Sequence, residues 1–163
     1  MSIRLAGSRG WRRAGALAAV LAMVVPLQAH HSFAPFDQTK TVVLTGVVTV
    51  VNPDANHLQI YFAPMNAERK NVERDARGEA VIWEVEMAGS AAAAGEGISV
   101  SSFPKGTVFS VAMRPMRNGE HKGLRQGPLF KCPGRTPPKP GSHCDSVEGH
   151  QAFGQGALPA PTN

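Results

Sequence analysis

The sequence predicts a mainly β protein: a small five-stranded OB-like barrel with one short helix between strands three and four, followed by an irregular C-terminal tail. Three observations predict it: a long β-branched run near residue 45, three strand-like segments before an alanine-rich segment and two after it, and a proline-rich end. This order of elements is that of the OB fold. The alternative, a β-sandwich, needs about seven strands and no helix.

The first two strands follow from their side-chain patterns. Residues 41–51 are β-branched at nearly every position and apolar on both faces, which predicts a barrel wall or a doubly buried strand, with a bend or bulge at Gly46. Residues 57–63 alternate and predict a half-exposed strand. Its apolar face carries Leu58, Ile60 and Phe62, and its polar face carries His57, Gln59 and Tyr61.

A mixed-charge segment, residues 64–80, predicts a solvated loop before the third strand. The third strand is predicted over residues 80–87. Its inward side chains are Val81, Trp83, Val85 and Met87, and Glu84 and Glu86 point the other way. Ser90, four alanines and Gly95 predict a short helix with a serine N-cap and a glycine stop.

The last two strands form a predicted hairpin. Residues 104–106, Pro-Lys-Gly, predict a turn into strand four over residues 107–113. Asn118-Gly119 is a strong hairpin signal, and strand five is expected between residues 123 and 131.

The tail, residues 132–163, contains both cysteines of the chain, Cys132 and Cys144. They enclose a segment rich in proline and glycine, and we expect a structural disulfide that stabilises the fold by roughly 3 kcal/mol. A zinc site at Cys132, His143 and Cys144 is the alternative, but its spacing differs from that of the usual zinc motifs. Seven of the 13 prolines lie in residues 127–163, which predicts irregular chain with a disordered end.

Residues 1–29 are predicted to be a secretory signal peptide. Four arginines precede an apolar run, residues 14–25, that is too short to span a bilayer as a helix, and Pro26 follows it. Cleavage after Ala29 leaves no membrane span, and the protein is expected to reach the periplasm or the exterior by the general secretory route. The formal charge of +5 falls to +1 in residues 30–163, so nucleic-acid binding is not expected.

Several short motifs lie along residues 30–125: His30-His31-Ser32-Phe33-Ala34, Phe36-Asp37, residues 44–48, Asn52-Pro53 with His57, residues 83–86 and residues 104–106. With these motifs the chain resembles a family of small exported bacterial proteins that form a domain of unknown function. The resemblance implies an exported β-rich domain with no assigned activity. In this chain Asn52-Pro53 and His57 are separated by three residues, whereas the family usually has Asn-Pro-His.

We expect a non-catalytic binding or scaffolding module of the cell envelope, acting on an unknown protein or small ligand. No nucleophile elbow or metalloprotease motif is present, and two glutamates on one strand face are more often solubilising than catalytic. The candidate ligand face is built from strands one to three and comprises His57, Gln59, Tyr61 and Glu84.

Copper binding is the alternative function. After cleavage, His30 and His31 would offer the terminal amine, an amide and two imidazoles, a donor set that suits Cu(II). His57 is a candidate to complete this site. A second set, suited to Cu(I), comprises Met113, Met116 and His121. No cofactor other than copper is expected.

Overall fold

A computed structural model describes residues 33–53 and 56–162. The described residues contain six strands and one α-helix. In chain order these are β1 (Val42–Asn52), β2 (His57–Pro64), β3 (Trp83–Gly89), α1 (Ser90–Gly95), β4 (Val108–Pro115), β5 (Lys122–Lys131) and β6 (Gln151–Phe153).

The first five strands form a closed barrel, as predicted. Neighbouring strands follow the order β3-β2-β1-β4-β5-β6, and all of these pairs are antiparallel. A parallel pairing of β3 with β5 closes the barrel. This closing seam joins Glu84 to Lys122, Val85 to Gly123, and Glu86 to Leu124. With three residue pairs, this seam is shorter than each of the four antiparallel pairings within the five-stranded barrel.

The core fills the barrel interior. The predicted alternation of β2 is confirmed, since Leu58, Ile60 and Phe62 are buried. Phe109 of β4 packs edge-to-face on Phe62, with ring centroids 5.1 Å apart, and on Phe103, at 5.7 Å. Such pairs contribute about 0.5–1.5 kcal/mol beyond the area that they bury.

The irregularity of β1 lies beyond the glycine at which it was predicted. The register with β2 shifts between Val48 and Val50, whereas Gly46 is regularly paired with Pro64 on one side and Phe109 on the other. At Gly46 the missing side chain has a packing role instead. A Cβ there would lie 2.8 Å from the Ala63 carbonyl oxygen and overlap the Phe62 ring.

Two further boundaries differ from the prediction. β3 begins at Trp83 because the preceding residues pair with the charged loop: Ala80 bridges Arg74, and the Val81 N–H donates to the Glu73 carbonyl. Ser90 is the first helical residue and not the cap, since the N-cap is Gly89 and no side chain caps the helix.

The C-terminal tail is more ordered than predicted. Cys132 and Cys144 form the expected disulfide, which excludes the zinc alternative. β6 pairs with β5, and the Thr162 N–H donates to the Thr41 carbonyl at 3.0 Å. The expectation of a disordered end is therefore wrong up to residue 162, because backbone hydrogen bonds to the barrel replace the missing regular structure.

Buried hydroxyl groups also hold the tail. The Thr45 hydroxyl lies 2.7 Å from the Ser110 hydroxyl and 2.8 Å from His143 Nδ1, and the Cys144 N–H donates to Ser110 Oγ at 2.8 Å. Burial, and secondarily the charge of Arg69, lower the pKa of His143 below its usual 6.5. Neutral His143 can accept from the Thr45 hydroxyl through Nδ1, and each hydroxyl of this hydrogen-bonded series can then donate in one direction.

The predicted signal peptide, with its cleavage position, lies outside the described residues. Within the described part of the chain, no helix has the length and apolar character needed to span a membrane.

Candidate functional site

Antiparallel pairing brings three of the four predicted ligand-face residues together. Tyr61 of β2 pairs with Glu84 of β3, and Gln59 pairs with Glu86. Because side chains alternate along a strand, the side chains of these two residue pairs all point to the outer face of the barrel. The buried Ile60 and Val85 point the opposite way.

Lys122 lies at the centre of this face. Its ammonium is 2.8 Å from Glu84 Oε1 and 3.0 Å from Glu86 Oε2, across the closing seam. Burial acts to lower the pKa of Lys122, but the hydrogen bonds to Glu84 and Glu86 outweigh burial and raise it above the usual 10.5. The ion pairs therefore fix the two carboxylates and close the barrel at the same time.

The Tyr61 side chain connects this cluster to β1. Its hydroxyl donates to Gln59 Oε1 at 3.2 Å, and Asn52 Nδ2 donates to the same oxygen at 3.3 Å. Partial burial and the neighbouring Glu84 carboxylate raise the pKa of Tyr61 above 10.0. The phenol therefore stays protonated at neutral pH and can donate a hydrogen bond.

His57 lies at the edge of this face, at the start of β2. It pairs with Gly89, four residues from Tyr61, or about 13 Å along the strand. Its Nδ1 lies 3.1 Å from the Met87 carbonyl oxygen and 3.9 Å from Glu86 Oε1. The structure thus groups Gln59, Tyr61 and Glu84, and Glu86 connects His57 to this group.

A cleft of about 250 Å³ opens beside Tyr61 and Glu84. It lies between the start of β3 and the loop that joins β4 to β5. The Trp83 indole and the His121 imidazole stack beside it, with ring centroids 5.1 Å apart and ring planes 14° apart. The residues that line the cleft are Tyr61, Ile82, Trp83, Glu84, Glu120, His121 and Lys122.

Four of the lining residues were not predicted as site residues: Ile82, Trp83, Glu120 and Lys122. His121 was predicted as a copper ligand and not as part of a ligand face. Trp83 was assigned to the core from its alternation with Val85, but it is only partly buried because β3 begins there. Glu120, His121 and Lys122 follow the Asn118-Gly119 turn. The sequence pattern located the hairpin but held no signal that it meets β3 through a parallel pairing.

The structure does not assemble the predicted metal ligands. His30 and His31 lie outside the described residues. Met113 is fully buried against Gly123, whereas His121 is exposed beside Trp83. Among residues 33–53 and 56–162, no group of three or more His, Cys, Asp or Glu side chains is arranged to hold a metal ion.

Residues 18–126 match a protein family described as a family of unknown function (DUF6152). The chain belongs to this family. The matched residues include the first four barrel strands, the first half of β5 and the cleft; both cysteines lie beyond them. Membership agrees with the resemblance noted above and assigns no activity. Comparison with curated proteins finds no match, and neither does comparison with solved structures.

Proposed function

We propose that this protein is an exported, non-catalytic binding module of the cell envelope, and that it binds a small ligand in the cleft between β3 and the β4–β5 loop. The observation that carries the proposal is the position of the cleft. OB barrels bind their ligands on the face of strands two and three, next to the loops that join strands one to two and four to five. The cleft lies on that face and touches the second of those loops.

The chemistry of the cleft favours a ligand rich in hydrogen-bond donors. Glu84 and Glu120 face a single cation, Lys122, which Glu86 shares. The Glu120 carboxylate has no hydrogen-bond or ion-pair partner among the described residues. Stacked Trp83 and His121 add an aromatic wall. Amines and saccharides suit such a surface, whereas the phosphates of a nucleic acid would meet an excess of negative charge.

The arrangement of the carboxylates supports a non-catalytic role. Glu84 and Glu86 both form ion pairs with Lys122, at 2.8 Å and 3.0 Å. In a glycosidase the two carboxyl groups flank the scissile bond, one as general acid and the other as base or nucleophile. Here one ammonium engages both carboxylates, an arrangement that orients a binding surface.

Tryptophan fluorescence offers a direct test, since Trp83 is the only tryptophan after Trp11. The protein processed after Ala29 is titrated with spermidine, cellobiose and citrate, which represent amines, saccharides and anions. We expect a saturable change in Trp83 emission with spermidine or cellobiose and none with citrate. The idea that the cleft is a ligand site would be refuted if none of the three compounds gave a saturable change up to about 10 mM. A Kd above that concentration corresponds to a binding free energy weaker than about 3 kcal/mol.

Variants locate the binding. Replacement of Glu120 by glutamine removes an unpaired carboxylate at the rim, and we expect the affinity to fall about tenfold, as for the loss of one charge-assisted hydrogen bond. Glu79→Gln is the matched control, because Glu79 is an exposed carboxylate in the charged loop outside the cleft. Equal effects of both variants would show that the ligand responds only to net charge.

Export rests on the predicted signal peptide and is compatible with the disulfide, because disulfides persist in oxidising compartments. Mass spectrometry of the protein from its native host would test it. The expected mass corresponds to residues 30–163 with one disulfide. An intact N-terminus would count against export by this signal.

Copper binding through the processed N-terminus is a second candidate. It is favoured by the anchoring of the following residues on the β4–β5 hairpin: Phe36 bridges Met116, and Arg117 Nε donates to the Ala34 carbonyl at 3.2 Å. Titration of the processed, untagged protein with Cu(II) tests it. Micromolar affinity that is lost in His30→Ala supports a site, and millimolar affinity excludes it.

A further inference from the structure

A second, more enclosed pocket of about 170 Å³ lies beside the disulfide, away from the cleft. Its walls are the turn at residues 104–107, the end of β5 and the 3-10 turn Pro133–Arg135. A water molecule takes about 30 Å³ of liquid volume, so the pocket has room for a polyatomic ion. It is independent of the function proposed above.

The charges that line this pocket are all positive. Lys131 and Arg135 face it, and none of the described residues that line it is acidic. The Lys131 ammonium donates to the Ser102 carbonyl at 2.9 Å, so it is oriented without being neutralised. The Arg135 guanidinium has no hydrogen bond or ion pair within the described part of the chain.

The position of Arg135 is imposed by the backbone. Its φ of 61° lies in the left-handed region, which an arginine rarely adopts, and the preceding Gly134 has a φ of 55°. The guanidinium lies over Gly106, where an added Cβ would be 3.3 Å from Arg135 Nη1. Strained residues of this kind persist where the surrounding structure fixes them, and they concentrate at functional sites. Here the disulfide of Cys132 and the hydrogen bond from the Thr136 N–H to the Pro133 carbonyl hold the turn.

We propose that this pocket binds a phosphate group, either of a soluble phosphate monoester or of a lipid headgroup. A guanidinium donates two parallel N–H groups to two phosphate oxygens, and a lysine adds a compact charge from a second direction. Arg135 of the 3-10 turn and Lys131 at the end of β5 supply this pair. Arg135 is exposed, so the pocket is accessible to either source of phosphate.

Titration with inorganic phosphate tests the proposal. The protein is titrated to about 10 mM phosphate at low ionic strength, where screening of surface charges is weak, and binding is followed by amide chemical shifts or calorimetry. We expect saturable binding that perturbs residues 104–107 and 131–135. Arg135→Gln should weaken it at least about tenfold, the loss expected for charge-assisted hydrogen bonds.

Three comparisons complete the test. Lys131→Gln changes the second cation of the pocket and should also weaken binding, by about threefold or more, through the loss of one ion–phosphate contact. Arg77→Gln is the charge-matched control, since Arg77 is highly exposed in the loop before β3, and it should leave the affinity unchanged. Vesicles of phosphatidylcholine with and without phosphatidic acid distinguish the two sources: sedimentation with the acidic vesicles, lost in Arg135→Gln, assigns a lipid headgroup, and no sedimentation assigns a soluble monoester. Absence of saturable phosphate binding, or equal losses in Arg135→Gln and Arg77→Gln, would overturn the proposal.

Discussion

Replacing Lys122 by methionine removes the cation that joins β3 to β5, and the structure sets the size of the effect. The ammonium contacts Glu84 at 2.8 Å and Glu86 at 3.0 Å, and the side chains of both glutamates are less than one-fifth exposed. A hydrogen bond to a charged group contributes about 1.5–3 kcal/mol, and its removal here leaves two neighbouring carboxylates without their counter-ion. We expect Lys122→Met to lower the free energy of unfolding by roughly 2–4 kcal/mol.

Urea unfolding at pH 7 measures this loss. Lys40→Met is the matched control, because Lys40 is exposed and lies 4.0 Å from Asp37; its loss should stay below about 0.5 kcal/mol. The triple variant Glu84→Gln, Glu86→Gln, Lys122→Met should recover more than half of the loss, since no charge is left unpaired. A loss below about 1 kcal/mol in Lys122→Met would refute the argument that ion pairs hold the closing seam.

The pH dependence of the same difference gives a second check. The pKa of Lys122 is raised in the folded protein above its usual 10.5, so the protein binds this proton more tightly when folded. The stabilising contribution is therefore fully present below pH 10.5 and is lost as the pH rises through the folded pKa. We expect the difference between wild type and Lys122→Met to be constant from neutral pH and to shrink only above about pH 10.5.

Three further predictions concern the tail and β1. Replacing Cys132 and Cys144 by alanine should lower the free energy of unfolding by about 3 kcal/mol through lost loop constraint, and urea unfolding of this variant should not respond to dithiothreitol; a loss below about 1 kcal/mol would contradict the loop-constraint account. Because the pKa of His143 is lowered from 6.5, the unfolded chain takes up a proton first as the pH falls, and the stability of the protein should begin to decline near pH 6.5. The decline should be smaller in His143→Gln, and equal pH profiles of the two proteins would show that the His143 contact does not stabilise the tail. Gly46→Ala places a methyl group against Phe62 and the Ala63 carbonyl and should cost about 1–3 kcal/mol by overpacking, measured by thermal unfolding; an unchanged Tm would mean that β1 and β2 can separate without cost.

The local patterns in the sequence were sufficient to predict the strands of the barrel. The alternation of apolar and polar residues in β2 predicted that Leu58, Ile60 and Phe62 are buried, because burial on one face of a strand requires a period of two. The hairpin was predicted from Asn118-Gly119, whose glycine has a φ of +80°. In both cases the relevant interactions lie within a few residues of each other along the chain.

Features that depend on distant contacts were harder to predict. The parallel pairing of Glu84 with Lys122 joins residues 38 apart in sequence, and nothing near either residue indicates it. The cleft followed from this pairing, so the sequence identified Tyr61 and Glu84 as ligand-face residues but neither Trp83 nor Lys122. The order of the tail depends on hydrogen bonds to the barrel, such as that of Cys144 to Ser110, which composition cannot report.

The contact between Thr41 and Thr162 places the start of β1 beside the tail. The Thr41 N–H donates to Thr162 Oγ1 at 2.8 Å and the Thr41 carbonyl accepts from the Thr162 N–H. Strand connectivity can therefore be rearranged with little change in the fold: a linker from the tail to the residues that precede β1 and a new opening at Asn118-Gly119 would give a circular permutant. In such a molecule the β4–β5 loop beside the cleft would be opened into two free ends. The effect of this loop on ligand binding could then be measured separately from its role in connecting β4 to β5.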